Sequence, residues 1–302
     1  MKAHLLIFAA VLLVPCWTMP AGQPNRGASA PQRGASAPQP GASAPQPGAS
    51  APQNSSSIPL NMVPESVDDM YHNCTEEMEK KVKEEYFNKE NVGKVAEAWE
   101  DEQVKQCVDD GKKQVNNVLS EDHIQAICVY TSNRIYDQFN KAVRTSRSIY
   151  SSSSYQFHSL HFWLTTAIQT LNKKCHTTYR RTTAVFNGNV SDIIRFGTFA
   201  SSSFRTNLTY FGNETCFEIK TCSGASVKPY SVYPNEEEVL IPPYETFNIT
   251  KTVEGRSQFK DLNDCNRVFI LESAGGKSEL NCKAAGLKES KPYSYPLTEK
   301  MQ

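Results

Sequence analysis

Three consecutive glutamates, Glu236-Glu237-Glu238, stand immediately before the apolar segment VLIPPYE. In an extended chain, residues two apart project to the same side. That spacing presents Glu236 and Glu238 to one ligand and directs Glu237 away. Val239, Leu240 and Ile241 would anchor the adjoining strand, and Pro242-Pro243 would end it. One carboxylate of such a pair can steady positive charge developing at an anomeric carbon while the other orients an attacking group. Glutamates beside an apolar strand also make a solvated strand entrance, and composition alone leaves both readings open.

A second segment, TYRRTTAVF, carries Arg180 and Arg181. On a strand the two face opposite ways, so one can enter a cleft, where its forked donors suit a phosphate or pyrophosphate. A cationic pair on the surface is the alternative. A third segment, RFGTFASSSF, places a glycine-containing turn before Ser201, Ser202 and Ser203, whose hydroxyls can hold a ribose or a carboxylate in register. No G-x-S-x-G elbow, P-loop or G-x-G-x-x-G fingerprint occurs, which argues against serine hydrolysis and against the common nucleotide sites. His158 and His161 lie three apart, but no acidic or cysteine ligand completes a motif, so a packing role is expected and no metal.

The elements that must position these groups change character along the chain. From Glu65 to about Lys173 apolar positions recur with helical spacing, most clearly from Phe157 to Leu171, where Leu160, Leu164, Ala167, Ile168 and Leu171 share a face. After Cys175, ETCFEIKTC, SVKPYSV, EEEVLI, YETFNIT and NRVFILE read as short strands between turn residues. Helices first and strands later favour an α+β fold over βαβ repeats. With 302 residues, 39% of them hydrophobic, the chain can bury a sizeable core. Its 32 basic and 32 acidic residues leave no net charge, so nothing points to a nucleic-acid partner.

The amino-terminal end reads as an export signal over residues 1–21: Lys2, an apolar run from Leu5 to Trp17 too short to span a bilayer, then Ala21 and Gly22. Four heptads from Gly27 to Asn54 (GASAPQR, GASAPQP twice, GASAPQN) make residues 22–58 a flexible stalk, because Pro blocks helix and Ala and Ser offer little to bury. One domain is expected over 59–286, with a flexible tail over 287–302. Beyond Cys16 there are eight cysteines, an even count that argues for disulfides in an exported chain, with 105 pairings open. Asn54, Asn73, Asn189, Asn207, Asn213 and Asn248 open six glycosylation sequons. The expectation is a secreted, extracellular, disulfide-bonded monomer with no transmembrane segment.

Taken in order, the three chemical segments resemble the vertebrate ecto-ADP-ribosyltransferases of the arginine-specific branch, whose signature is an Arg, a Ser and a Glu-x-Glu. The likeness runs from about residue 65 to 286 and includes SVDDMYHNC, YTSNRIYDQFNKAVR and FHSLHFWLTTAIQTL before RFGTFASSS and EEEVLIPPYETF. It implies a mono-ADP-ribosyltransferase fold around an open NAD cleft, with transfer of ADP-ribose from NAD to arginine on extracellular or cell-surface proteins. Residue by residue, it implies that Arg180 holds the NAD phosphate and nicotinamide-ribose region, and that Ser201 positions the ribose and the catalytic glutamate. Glu238 would bind the nicotinamide ribose and stabilise the oxocarbenium-like state. Glu236 would orient the acceptor guanidinium. Phe199 and Phe204 are candidates for the nicotinamide wall, with core packing the alternative for either.

One position departs from the family pattern. The family usually has Gly after its signature Arg, and here Arg181 stands there. Its backbone can serve the nicotinamide amide only if its φ is ordinary and its side chain points away. The resemblance further implies the disulfides Cys74–Cys282 and Cys175–Cys222, and pairing within each half is the expectation for Cys107, Cys128, Cys216 and Cys265. The chain lacks the apolar tail through which many relatives are lipid-anchored, as the secreted members do. NAD hydrolysis and a secreted binding protein on the same scaffold are the alternative functions.

Overall fold

The computed structural model describes residues 57–115, 118–287 and 290–297. The expected signal and the heptads lie outside the described residues. Seven helices come first: α1 (Thr75–Lys81), continued through a π-helical turn, Val82–Tyr86, into α2 (Phe87–Glu90), then α3 (Lys94–Trp99), α4 (Glu102–Lys112), α5 (Glu121–Thr131), α6 (Tyr136–Thr145) and α7 (His158–Leu171). The stronger caps are side-chain ones. Asp101 accepts from the Gln103 amide to start α4, and Ser120 and His123 form a reciprocal capping box at α5. The expected helix from Phe157 to Leu171 is α7 to within one residue.

The strands are β1 (Ile58–Pro59), β2 (His176–Thr182), β3 (Phe186–Asn187), β4 (Ile193–Ile194), β5 (Ala200–Ser203), β6 (Thr215–Thr221), β7 (Ala225–Ser226), β8 (Glu238–Ile241), β9 (Glu245–Glu254), β10 (Arg267–Ser278) and β11 (Tyr293–Tyr295). β1 and β3 form a small parallel pair. The others make one sheet in the order β4-β9-β10-β6-β2-β5-β8-β7, with β11 beside β10. β6 and β10 run parallel; the remaining pairs of this sheet are antiparallel. No α-helix among the described residues lies between β2 and β10, so the α+β expectation holds.

One expected strand is absent. SVKPYSV contributes only Ser226 to β7 and then coils into a 3-10 turn, Lys228–Tyr230. Pro229 sits inside that turn, where its fixed φ fits; in a strand it would forfeit a ladder donor.

Alternate residues of β8 enter different cores. Leu240 joins the helical core with Phe139, Leu164 and Phe199, whereas Ile241 joins Phe217, Phe247 and Phe269 on the other face. All four disulfides form: Cys74–Cys282, Cys107–Cys128, Cys175–Cys222 and Cys216–Cys265. The two pairs expected within halves therefore lie within them. His158 and His161 are buried packing residues. His158 bridges the Glu90 carboxylate and the Tyr150 carbonyl, while His161 meets the Tyr71 hydroxyl at 2.7 Å, its ring pushed down to about 3 by burial and so neutral.

The beginning and end of the unit are joined by two adjacent buried acids. Asp68 accepts from the Glu279 and Leu280 amides and from Nη1 of Arg195, a pair almost wholly shielded from solvent. Asp69 accepts from the Tyr71 and Cys282 amides and from the Tyr150 hydroxyl, each at 2.9 Å. Arg195 also donates to the carbonyls of Met62 and Val63. Replacing Asp68 with Asn leaves a buried guanidinium without its counter-charge, a loss of about 3–5 kcal/mol. Removing the exposed Lys83–Glu79 pair by Glu79→Gln should cost about 0.5 kcal/mol or less. Denaturant unfolding of the two variants, disulfides intact, checks the contrast; equal midpoints would refute it.

Candidate active site

The site is built on three strands that lie side by side in the sheet, β2, β5 and β8. Arg180 and Arg181 leave β2 in opposite directions, as strand geometry demands. Nη1 of Arg180 donates to the Ser201 carbonyl at 2.5 Å. The Arg181 guanidinium instead grips Asp264 through both terminal nitrogens, at 2.8 and 2.9 Å, and its Nε donates to the Thr206 carbonyl. Arg181 is not among the residues with positive φ, so both conditions set by the missing glycine are met. Any part it plays toward a ligand falls to its backbone.

The register of β5 on β8 pairs Ser203 with Glu238 and Ser201 with Leu240. Ser201 and Glu238 are therefore diagonal neighbours on one face. The half-buried Ser201 hydroxyl lies close enough to the Glu238 carboxyl to favour its ionised form, and near the Tyr130 phenol. Glu238 is 7% exposed. Burial pushes its carboxyl up to about 7; the Ser201 hydroxyl and the Arg180 charge pull down, and the Glu236 charge adds to the rise.

Glu236 and Glu238 reach a common environment by a route other than the extended one expected. Residues Pro234–Glu236 form a 3-10 turn, Glu237 is left-handed at φ 49° and ψ 47°, and only Glu238 begins the strand. Pro234 favours the turn, and the Ser203 hydroxyl and Phe204 amide hold it by donating to the carbonyls of Glu236 and Glu237. Glu237 points outward to Lys228 at 2.8 Å. The half-buried Glu236 carboxylate accepts from the Tyr210 hydroxyl at 2.9 Å; burial raises its pKa and that hydrogen bond lowers it.

The two phenylalanines separate. Phe199 is fully buried, stacked on Phe139 with centroids 5.5 Å apart and edged by Tyr130 and His161. Its candidacy as a nicotinamide wall is therefore corrected to core packing, because no edge of the ring is accessible. Phe204 is 39% exposed, lies edge-on to His176, and sits beside the glutamate turn.

Four residues that the sequence reading did not single out join the cluster. Tyr130 of α5 donates to the Phe199 carbonyl and accepts from Asn140 of α6. The other amide atom of Asn140, Oδ1, is buried without a hydrogen-bond partner. Arg144, one turn further along α6, is held below its ordinary pKa by desolvation and then by the charge of Arg180. Tyr210 lies between β5 and β6. The signal for three of them was available, since Tyr130 and Arg144 are the ends of YTSNRIYDQFNKAVR and Asn140 lies within it. Among the described residues no group of three His, Cys, Asp or Glu could hold a metal ion.

A cationic residue, a serine and a buried glutamate thus lie on adjacent strands of a mixed sheet backed by helices, with a second carboxylate in the turn that leads into β8. The sequence profile of the NAD:arginine ADP-ribosyltransferases matches residues 60–268. Human ecto-ADP-ribosyltransferase 5 is 34% identical over 253 residues, 75% of this chain and 84% of the relative. Mouse T-cell ecto-ADP-ribosyltransferase 1 is 36% identical over 242 residues, 75% of this chain and 78% of the relative. The crystal structure of the eucaryotic mono-ADP-ribosyltransferase ART2.2 superposes with a TM-score of 0.61 at 31% identity, covering 74% of this chain and 98% of that one. A variant of ART2.2 in complex with NADH superposes at 0.62 with 30% identity, covering 74% of this chain and 98% of that one. The chain belongs to the NAD:arginine ADP-ribosyltransferase family.

The raised pKa of Glu238 makes a stability prediction. In the range between about 4.5, its ordinary value, and about 7, the folded state holds a proton that the unfolded state has released. Its stabilising effect is complete at low pH and is lost as pH rises through 7. Glu238→Gln carries no charge to bury and should exceed the parent in stability at pH 8 by up to about 3 kcal/mol, with the gap closing by pH 4. Thermal unfolding across that range measures the difference; a variant less stable than the parent at pH 8 would contradict it.

Proposed function

We propose that Arg180, Ser201, Glu236 and Glu238 carry out NAD-dependent ADP-ribosylation of arginine, the activity of this family. The observation that bears most weight is the register that makes Ser201 and the buried Glu238 diagonal neighbours on one face, with Arg180 donating to the Ser201 carbonyl and Glu236 in the turn just before β8. Arg180 and Arg144, two guanidiniums near one another, would bind the pyrophosphate of NAD. Glu238, fixed by Ser201, binds the nicotinamide ribose and faces the anomeric carbon. When the bond from that carbon to the nicotinamide nitrogen breaks, its electron pair leaves with nicotinamide and the sugar carries the positive charge. Glu238 stabilises that charge where it develops.

Glu236 receives the acceptor guanidinium. A guanidinium nitrogen forms the new bond to the anomeric carbon and gives up a proton, completing ADP-ribosyl-arginine. Water in that place gives NAD hydrolysis, the second reading. A binding protein without turnover is disfavoured by the same observations that answer the Arg181 departure: its φ is ordinary and its side chain turns away. Phe204 and the Arg181 backbone remain the candidates beside the nicotinamide.

Four disulfides and relatives named as ecto-enzymes support secretion and action on extracellular proteins. We further take the protein as a monomer whose one catalytic domain begins near residue 59 and runs past the expected end at 286, since Tyr293–Tyr295 of the expected flexible tail pairs with β10. No helix among the described residues is long and apolar enough to cross a membrane. Asn189 and Asn207 are exposed and suited to glycosylation, whereas the side-chain oxygen of Asn248 is buried.

Two outcomes test the assignment with labelled NAD and a small guanidine, following free nicotinamide and labelled product. Glu238→Gln should lower both transfer and hydrolysis by about 100-fold or more, chiefly in kcat, while Glu236→Gln should suppress transfer and leave hydrolysis measurable. Equal loss of both reactions in a folded, NAD-binding Glu236→Gln protein would reject the division. The acid limb of kcat/KM for NAD should fall near pH 7, the value for Glu238 in the free enzyme. The limb of kcat should lie lower, because the bound pyridinium cation favours the ionised carboxylate. Coincident limbs would show that the titrating group does not face the cation.

A further inference from the structure

The chain between β5 and β6 is pinned at several points and carries a tyrosine out over the glutamate turn. The Arg181 side chain, anchored on Asp264, donates to the Thr206 carbonyl at 2.8 Å. Arg205 donates from its amide to the Ser203 hydroxyl and from Nη1 to the Asn235 carbonyl, which lies in the turn that ends at Glu236. Leu208 is buried. Gly212 closes the loop at φ +115°, so near β2 that a Cβ there would come within 2.5 Å of the Thr183 amide nitrogen.

Between these anchors, the 3-10 turn Thr209–Phe211 presents Tyr210 with 66% of its surface exposed. Its ring leans on Phe211, centroids 4.4 Å apart, and its hydroxyl donates to Oε1 of Glu236 at 2.9 Å. So exposed a ring gains little from burial. What the loop geometry delivers is the hydroxyl.

We propose that Tyr210 is a positioning residue for the acceptor: it occupies Oε1 of Glu236 and fixes the carboxylate plane, leaving Oε2 for the incoming guanidinium, and so sets the ratio of arginine transfer to NAD hydrolysis. The inference rests on the assignment of Glu236 to the acceptor. A guanidinium is a planar fork and binds best to a carboxylate of fixed orientation. Water makes no such demand, so hydrolysis does not depend on the hydroxyl. Burial and the neighbouring Glu236 charge push the Tyr210 phenol up to about 12, so it remains a donor throughout the neutral range. The charged groups near this pair are Arg205, which acts on Tyr210 and Glu237, Glu237 with its partner Lys228, and Glu238 on β8 with Arg180 of β2 beside it. None of these is altered by exchanging Tyr for Phe.

The test uses the disulfide-bonded protein, NAD and arginine methyl ester as the guanidine, comparing the parent with Tyr210→Phe and Glu236→Gln. Tyr210→Phe should raise KM for the guanidine and lower the transfer-to-hydrolysis ratio by about fivefold or more, the effect of losing one hydrogen bond to a charged group at a partly exposed site. Hydrolytic kcat and KM for NAD should stay at parental values. The acid limb of transfer should move to higher pH, because the lost hydrogen bond favoured the ionised carboxylate. An unchanged ratio with an unmoved limb overturns the proposal, as does a parallel fall in transfer and hydrolysis, the result of a merely structural loop residue. If Glu236→Gln itself retains transfer, the assignment of Glu236 fails and Tyr210 fails with it. If Glu236→Gln loses transfer while Tyr210→Phe keeps the parental ratio, only Tyr210 is at fault.

Discussion

The buried pair between Asp68 and Arg195 fixes the frame in which the site is assembled. Two ions taken out of water make an arrangement that is stable only when their remaining hydrogen-bonding capacity is used. Here Asp68 takes two amides from the end of the unit, and Arg195 takes two carbonyls from its beginning. Cys74–Cys282 repeats the same closure covalently across 208 residues of separation. Arg195 lies six residues before Ser201, and between them the Gly197 carbonyl accepts from Ser66 and the Phe199 ring is locked in the helical core. The chain therefore enters β5 with little freedom, and Ser201 inherits that rigidity.

The geometry of the candidate site depends on the helical layer as much as on the sheet. Tyr130 of α5 links the two: its hydroxyl reaches the Phe199 carbonyl and lies beside Ser201, and Asn140 of α6 donates to it. These contacts bring helix side chains to the rear of Glu238 and keep water from its carboxyl. Burial is the largest cause of its raised pKa, so the same packing that stabilises the core disfavours its ionised form. On the proposed function, a cationic substrate would supply the charge that burial withholds.

Much of this was legible in the sequence for identifiable reasons. Strand alternation foretold that Arg180 and Arg181 diverge, and helical spacing foretold α7. The α+β order followed from where the apolar period changes. Local rules failed where a backbone conformation depends on tertiary contacts. The left-handed Glu237 is such a case, because two-residue spacing predicts a shared side for its neighbours without revealing the turn that achieves it. Pro229 should have demoted SVKPYSV from a strand. Phe199 is the subtler error: proximity in sequence to Ser201 suggested the cleft, but only the packing of α6 and α7 decides which way that ring turns. Tyr210 had no sequence signal, since its hydroxyl meets a partner 26 residues away.

Arg181 connects these observations. Where the family resemblance leads one to expect glycine, whose value lies in letting a ligand approach the backbone, this chain has the bulkiest of the basic side chains. Because β2 sends alternate side chains to opposite faces, that bulk goes to the face away from Arg180 and costs the ligand side nothing. There the guanidinium meets Asp264 in a two-point contact and lies 3.4 Å from the sulfur of Cys265, whose disulfide with Cys216 fastens the same corner of the sheet. Its Nε then holds Thr206, and through that loop the Tyr210 hydroxyl is delivered to Glu236. An exchange that reads in sequence as the loss of a ligand contact is in three dimensions a brace for the loop that carries Tyr210 to Glu236. Glycine at this position could not supply it, since it has no side chain to span from β2 to the loop.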